Sequence, residues 1–412
     1  MKVFKFGGAS VKDAQSVKNV ALVLETQGFE SCLLVVSAMG KTTNALEKVV
    51  ENYFAHIDYQ SEIEKIKRKH FEICQDLFAK DHSVFGEIDL FFKEVESFLN
   101  RNKSPNYNFV YDQVVSCGEL VSSKILSEYL SDIQFKNKWC DAREYIKTDR
   151  NYREGNVNWE ETEKRIATLN QHDCYVTQGF IGSDDNSFSV TLGREGSDYS
   201  AAIFAYGLNA EAMTIWKDVP GVMTGDPRKF EKVSLLAHLS YEDAIEMAYY
   251  GASIIHPKTL QPLKQKAIPF YVKSFLEPKN PGTKVGGNDK RNCEESFILK
   301  EDQHLMRIAT RDFSFIAEEH MSQIFSLLAK YKIKISVMQN SAISLDLCLE
   351  DMYGAIDDFS AELQAGFKTE IVKNVSLYTI RNANLEHSNK FYQHKKVLLE
   401  QISQKTVQVV TN

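Results

Sequence analysis

Seven cysteines in 412 residues, odd in number and never in CxxC spacing, exclude a disulfide framework and a thiolate metal knuckle. They read as reduced, mostly buried thiols of a cytoplasmic protein. No apolar run approaches the ~20 residues that span a bilayer, and the N-terminus reads as a strand rather than a signal peptide. No stretch gathers Lys and Arg into a basic face. With a formal net charge of −7, that argues against nucleic acid as a partner. His256 precedes a proline and has no ligand-spaced companion, so it reads as structural, and no protein ligand for a metal is named. What remains is ordinary for a globular chain: 43% hydrophobic and 25% charged residues, with length for two or three domains.

The stretch that organises the rest is Lys5-Phe6-Gly7-Gly8-Ala9-Ser10. Residues 1–6 read as a strand, with Ser10 a possible N-cap for a helix carrying Val11, Ala14, Val17, Val20, Ala21 and Leu24 at helical spacing. Strand, paired glycines and helix bring backbone N–H groups and a helix N-terminus to an anion, and glycine leaves the backbone open to close approach. Lys5 would add a full positive charge. The same hexapeptide also serves as an ordinary first βα turn.

Cys32 to Ser37 is a continuous apolar run, as expected of a strand buried on both faces. The Gly40-Lys41-Thr42 that follows is no Walker A motif, because Val35 stands where that motif needs its first glycine. Ser37 and Thr42-Thr43-Asn44 remain substrate-contact candidates at a strand's C-terminal end. Residues 45–130 are amphipathic and charge-rich, a helical insertion in which Ser116-Cys117-Gly118-Glu119 opens a helix. An acid in a first turn commonly just complements the helix dipole. Residues 140–178 read as a β-rich link ending in the strand Cys174–Thr177.

The densest chemistry lies at 188–228. A strand at 188–191 leads into the turn Leu192-Gly193-Arg194-Glu195-Gly196-Ser197-Asp198, and Tyr199–Leu208 is a helix. Arg194 offers the fork that grips a carboxylate or phosphate; Asp198 could orient a lysine or a metal. The strand Met213–Trp216 runs into Lys217-Asp218 and a Pro-Gly turn, then Asp226-Pro227-Arg228, a pair of turns that hold a loop rigid as a nucleotide pocket needs. A helix from Ser240 to Tyr250 and a strand from Ile268 to Lys273 close this part.

KFGGAS, VVSAMGKTTN, SCGEL, TLGREGSDYSAA, IWKDVPGVMTGDPR and GASIIHPKTL stand in the order found in aspartokinases, and the chain resembles that family across residues 3–260 with a matching tail. The resemblance implies an α/β amino acid kinase fold, a three-layer αβα sandwich on a mainly parallel sheet, over residues 1–285. It also implies an α+β ferredoxin-like ACT region over 295–412, one full unit plus one shortened unit. It implies ATP, with Mg2+ bound alongside, as phosphoryl donor to the β-carboxylate of L-aspartate. Residue by residue, Lys5 would bridge the transferring phosphate, with Gly7, Gly8 and Ser10 lining its path and Asp198 holding Lys5. Ser37, Thr43, Glu119, Arg194, Gly196 and Ser197 would form the aspartate site, Glu119 for the ammonium and Arg194 for a carboxylate. Lys217, Asp218, Arg228 and Lys258 would serve the nucleotide. Positioning and cations suit phosphoryl transfer, which asks little covalent chemistry of the protein.

Three residues depart from the family pattern: Ala9 for threonine, Glu195 for glycine, and Ser253 for a lysine that Lys258 or Lys217 would replace. In the tail, strand 304–310, helix 316–331, strands 333–338 and 341–349, helix 353–364 and strand 367–373 give a βαββαβ order. Strand 375–381, helix 388–403 and strand 405–410 follow, with strand 296–300 available to complete the sheet. The ACT region implies a homodimer or higher homo-oligomer. Ser336 and Ala342 stand where lysine-sensitive relatives carry acids, and Glu319-His320 replaces their Gly-Phe, so weak or absent inhibition by lysine is expected. The alternatives are a weakly active kinase-like regulatory or binding protein, or a kinase for glutamate, carbamate or a nucleotide.

Overall fold

The computed structural model describes residues 1–412 except 253–254, 287–293, 313, 384–391 and 393. Ser253, most of the linker after Gly286 and the start of the helix expected at 388–403 therefore lie outside the described residues. The chain divides into two compact units. One comprises Met1–Val222, Leu235–Ile245 and Ser253–Asn292; the other, Met223–Ser234, Glu246–Ala252 and Cys293–Asn412.

In the first unit, β1 (Lys2–Phe6), α1 (Ala14–Gln27) and β2 (Cys32–Val36) precede four helices, α2 (Thr42–Phe54), α3 (Gln60–Leu77), α4 (Val84–Arg101) and α5 (Tyr107–Asp132). Then come β3 (Lys138–Trp139), α6 (Ala142–Tyr145), α7 (Trp159–Ile166), β4 (Cys174–Gln178), the hairpin β5 (Ile181–Ser183) and β6 (Ser189–Thr191), α8 (Gly196–Gly207) and β7 (Ala212–Lys217). β8 (His238–Leu239), α10 (Pro257–Gln265), β9 (Phe270–Ser274) and β10 (Thr283–Val285) follow, while α9 (Tyr241–Tyr250) is divided between the two units. Eight strands form one sheet in the order β3-β4-β2-β1-β7-β9-β10-β8, with only β9–β10 antiparallel. β1 is flanked by β2 on one side and β7 on the other. The chain thus reverses its direction of growth at β1, and open α/β sheets bind ligands beyond the strand C-termini at such a point. The largest core packs α1–α5 against the sheet, with Val17, Leu24, Leu34, Val36, Leu46, Phe92 and Val121 buried.

Several sequence expectations change. Ser10 is no N-cap: Gly8–Val11 is a 3-10 turn, and Asp13 caps α1 by accepting the Ser16 N–H at 2.8 Å. The link at 140–178 holds two helices, α6 and α7, besides its strands. Ser116 to Glu119 lie mid-way along α5 rather than at its start. Gly118 sits there because a Cβ would stand 3.0 Å from that of Ala38 and 3.2 Å from Thr42, so its absence lets α5 close on the turn after β2.

The second unit carries an antiparallel sheet in the order β12-β13-β11-β14-β16-β15: β11 (Ser296–Thr310), β12 (Lys334–Asn340), β13 (Ser344–Glu350), β14 (Phe367–Arg381), β15 (Val397–Ser403) and β16 (Thr406–Thr411). α11 (Glu318–Lys330) and α12 (Ile356–Leu363) cover it through Ile324, Leu328, Phe359 and Leu363. The residues 296–300 form the start of β11 and pair with the end of β14. Residues 397–403, expected to be helical, are a strand paired with β16; the apolar cluster of Leu399 with Leu377 and Val410 holds it there.

Candidate active site

The C-terminal ends of β1, β2, β6 and β7 meet in a group of tight turns. After β1 and β2 the pairing continues into the loops: Ser37 N–H donates to Phe6 O at 3.1 Å, and Gly40 N–H to Gly8 O at 3.0 Å. Gly8 is required by that contact, since a Cβ would stand 2.7 Å from Ala38 O and 3.0 Å from Gly40 O. Gly7 leaves the backbone open beside Lys5, whose Nζ lies 3.4 Å from where a Cβ would be. Ser10 is buried and its hydroxyl donates to Trp216 O at 3.4 Å, so it braces the turn against β7.

Lys5 is 8% exposed and Asp198 3%, yet they form an ion pair of 2.6 Å. Lys217 reaches the other Asp198 oxygen at 3.9 Å. A lysine near the end of β1 and an acid in the first turn of α8 thus form a buried pair, with the half-buried lysine that ends β7 beside it. The pairing expected of Lys5 with Asp198 is present.

Glu119 is 2% exposed on α5. Its Oε1 accepts the Ala38 N–H at 3.4 Å, while Oε2 is buried without a hydrogen-bond partner. Burial raises its pKa to about 8, against the lowering effect of the Ala38 N–H and the Thr43 hydroxyl. At neutral pH the group therefore holds its proton, and a cationic donor such as an ammonium brought to Oε2 would favour the carboxylate. Thr43 lies in the first turn of α2, and Ser37 carries its carbonyl on the Ser122 hydroxyl at 2.7 Å.

The turn between β6 and α8 places Arg194 at the surface and buries Gly196 against Phe180. Ser197 stands where Gly179, after β4, leaves room; a Cβ there would be 2.6 Å from that of Ser197. Glu195 takes a left-handed backbone, φ 54°, which favours glycine. Its Oε2 is buried without a hydrogen-bond partner, and burial, then the Asp198 charge, raises its pKa, with Lys217, Arg194 and Lys5 opposing. Ala9 is exposed.

Asp218 is exposed just past β7, and Lys258 is exposed in the first turn of α10, its N–H on the His256 ring. His256 caps that helix, as its structural reading requires. Arg228 belongs to the second unit, where it forms a bidentate pair with Asp226. Among the described residues no three His, Cys, Asp or Glu side chains are grouped to hold a metal. A magnesium ion here would take most of its ligands from phosphate and water, which suits its chemistry.

Asp112 escaped the sequence reading. It lies two turns before Glu119 on the same face of α5, fully buried, accepting the N–H groups of Arg153 and Thr191 at 2.9 Å each and the Thr191 hydroxyl at 2.8 Å. Its signal was present: Asp112, Ser116, Glu119, Ser122 and Ser123 form a buried polar stripe on α5.

Apposed glycine turns, a buried lysine–aspartate pair and a buried glutamate with one unbonded oxygen thus gather at the C-terminal end of the sheet. The model of the amino acid kinase family matches residues 1–274, and the chain belongs to that family. It is 32% identical over 365 residues to the chloroplast aspartokinase 1 of Arabidopsis thaliana, covering 84% of this chain and 63% of that one. To the bifunctional aspartokinase/homoserine dehydrogenase of Buchnera aphidicola it is 29% identical over 419 residues, 93% of this chain and 50% of the other. The chain thus spans less than two thirds of the length of either. The crystal structure of Escherichia coli aspartokinase III with lysine and aspartate superposes with a TM-score of 0.83 at 25% identity, covering 100% of this chain and 95% of that one. Among the described residues no helix is long and apolar enough to cross a membrane.

Proposed function

We propose that this chain transfers the γ-phosphoryl group of ATP to the β-carboxylate of L-aspartate, yielding 4-phospho-L-aspartate and ADP. The observation that carries the reading is the pairing of a buried cation with a buried unbonded acceptor at the C-terminal end of the sheet. Lys5 is held by Asp198 beside the glycine turns, and Glu119 keeps Oε2 unbonded behind Ala38. Two relatives named for aspartokinase activity and one crystallised with aspartate support the choice of acid.

In this reading the aspartate ammonium pairs with Glu119, and Thr43, Ser197 and Arg194 take its carboxylates. Lys5 faces the charge that develops on the equatorial oxygens as a β-carboxylate oxygen bonds to phosphorus and the bond to ADP breaks. Asp198 fixes Lys5 in place, and Lys217, Asp218 and Lys258 serve the nucleotide. Fixed cations already aimed at that charge need no reorganisation during the step. Bound magnesium would neutralise phosphate charge; Asp198 and Glu195 are the acids nearest the Lys5–Lys217 pair to hold it. The product would enter synthesis of lysine, threonine and methionine. The antiparallel unit would act as an ACT region joining copies of a cytoplasmic homodimer or larger assembly.

Coupled ADP release by the purified chain with aspartate, with glutamate and with neither tests the reading. Turnover with aspartate alone is expected; preference for glutamate, or none with either acid, would overturn it. A binding protein of low activity is the second reading, favoured by the Glu195 carboxylate set beside Asp198.

A further inference from the structure

Two halves of the proposed acid-binding site come from segments distant in sequence: Glu119 from α5, and Arg194 and Ser197 from the turn into α8. They are joined by ring contacts of Phe109 with Tyr152 and Phe188 and, closer to the turn, by a set of hydrogen bonds. Asp112 Oδ2 accepts both the Arg153 and the Thr191 N–H groups, and Oδ1 accepts the Thr191 hydroxyl. Next to it, Gln113 exchanges two bonds with the Ser189 backbone, at 2.8 and 3.0 Å. Thr191 in turn accepts the Gly155 N–H at 2.9 Å, so β6 and the loop 149–155 are laced together. Gly193 then packs over that loop; a Cβ on it would lie 3.3 Å from Arg153 O.

Arg153 holds a left-handed backbone, φ 72°, which aims its N–H at Asp112. Its guanidinium lies 4.0 Å from the Tyr111 ring centre and pairs with Glu47 of α2 at 3.1 Å. A strained backbone persists only where its surroundings fix it. Here the surroundings are α5, α2 and the turn that carries Arg194.

We propose that Asp112 is a positioning residue for the acid substrate: it sets the register of the Gly193–Asp198 turn against Glu119. The claim rests on the aspartokinase reading and deepens it. Both oxygens of Asp112 are taken by Arg153 and Thr191, so its loss acts through the turn. Burial raises its pKa to about 6, with the Arg153 and Thr191 bonds opposing, so at neutral pH it is a carboxylate acceptor for all three donors.

The test compares Asp112→Ala, Asp112→Asn and wild type in steady-state kinetics and in amide hydrogen exchange over 149–156 and 189–196. Asp112→Ala leaves two buried N–H groups unpaired; it is expected to raise the aspartate KM on the order of tenfold or more, with the ATP KM within about twofold, and to speed exchange in both segments. Asp112→Asn is expected to restore most of the aspartate KM. Its amide oxygen can accept both N–H groups while its NH2 donates to the Thr191 hydroxyl, a rescue that a role in charge alone would not permit. An unchanged aspartate KM in Asp112→Ala, an equal rise in both KM values, or no rescue by asparagine would overturn the proposal. Should Asp112→Ala fail to fold, Thr191→Val decides: a several-fold rise confined to aspartate supports the claim and no rise refutes it. If wild type turns over no aspartate, the functional reading fails, while the exchange comparison still decides the positioning.

Discussion

Lys5 and Asp198 each tolerate burial only because of the other. Removing one member of a buried pair typically costs about 3–5 kcal/mol, since it strands the remaining charge. Lys5→Met is therefore expected to lower kcat on the order of 10²–10³ or more. It should also lower the melting temperature, because Lys217 at 3.9 Å is a poor replacement partner for Asp198. From sequence alone this lysine reads as a charge at the end of a strand; its burial makes it part of the fold as well. A wild-type kcat in Lys5→Met would remove it from the reaction. Glu119 behaves differently, because the Ala38 N–H and the Thr43 hydroxyl only partly offset the cost of burying its charge. Its pKa is about 8 in the folded chain against an ordinary 4.5. The folded chain keeps a proton that the unfolded chain releases, so the stability this group supplies is full below its unfolded value. It is lost as pH rises toward 8, by up to about 1.4 kcal/mol per pH unit. Glu119→Gln has no proton to lose. It should melt above wild type at pH 8, approach it as pH falls below 4.5, and lose aspartate binding at neutral pH. Equal melting temperatures at pH 8 would refute the burial argument.

Turns rather than regular elements decide what the site can hold. Gly8→Ala would set a methyl against two backbone oxygens, Ala38 O at 2.7 Å and Gly40 O at 3.0 Å, neither of which can swing aside. Overpacking of this kind costs typically about 1–3 kcal/mol, and forcing the two loops apart should cut kcat/KM for ATP about tenfold or more. A variant with wild-type kinetics would show that the apposed turns are not the phosphate path. These turns were legible beforehand because glycine pairs at a strand's end carry a local signal: Gly7-Gly8, Gly193 and Gly196 all mark them. So was the burial of β2 on both faces, since Leu33 to Val36 form an unbroken apolar run; the mainly parallel sheet was implied by the family resemblance rather than by that run. Legibility failed where long-range packing overrode local sense. Gly118 reads as a helix boundary, yet α5 runs straight through it because the close approach of Ala38 rewards the missing Cβ. Residues 397–403 have an amphipathic pattern that suits a helix, and β16 claims them as a strand. Asp112 was missed because its partners, Arg153 and Thr191, are loop and hairpin residues whose proximity only the fold creates.

At the scale of the whole molecule, the outstanding matter is whether the antiparallel unit answers to an amino acid. An effector's ammonium needs an acceptor that the protein does not already use, since an unpaired buried partner costs about 1–3 kcal/mol. Ser336 bonds instead to Gln303 Oε1 at 2.9 Å, and Ala342 offers only a carbonyl, already taken by the Ile316 N–H at 3.1 Å. Asp346 is the nearest alternative acid by sequence, and both its oxygens are held by Arg307, at 2.7 and 2.8 Å. The start of α11 is closed as well: His320 turns back to accept the Ala317 N–H at 3.1 Å, where an effector carboxylate would need free backbone donors. Glu318 and Glu319 remain in that first turn, but they face solvent, where a charge pair contributes about 0–1 kcal/mol. Such a surface cannot assemble the roughly −4 kcal/mol that millimolar affinity requires. Lysine titrated into the ADP-release assay at saturating ATP and near-KM aspartate is therefore expected to leave the rate unchanged up to about a millimolar, with threonine run in parallel. Half-inhibition by lysine below that concentration would mean that Glu318 or Glu319 turns inward on binding, and that the closed α11 terminus opens to receive it.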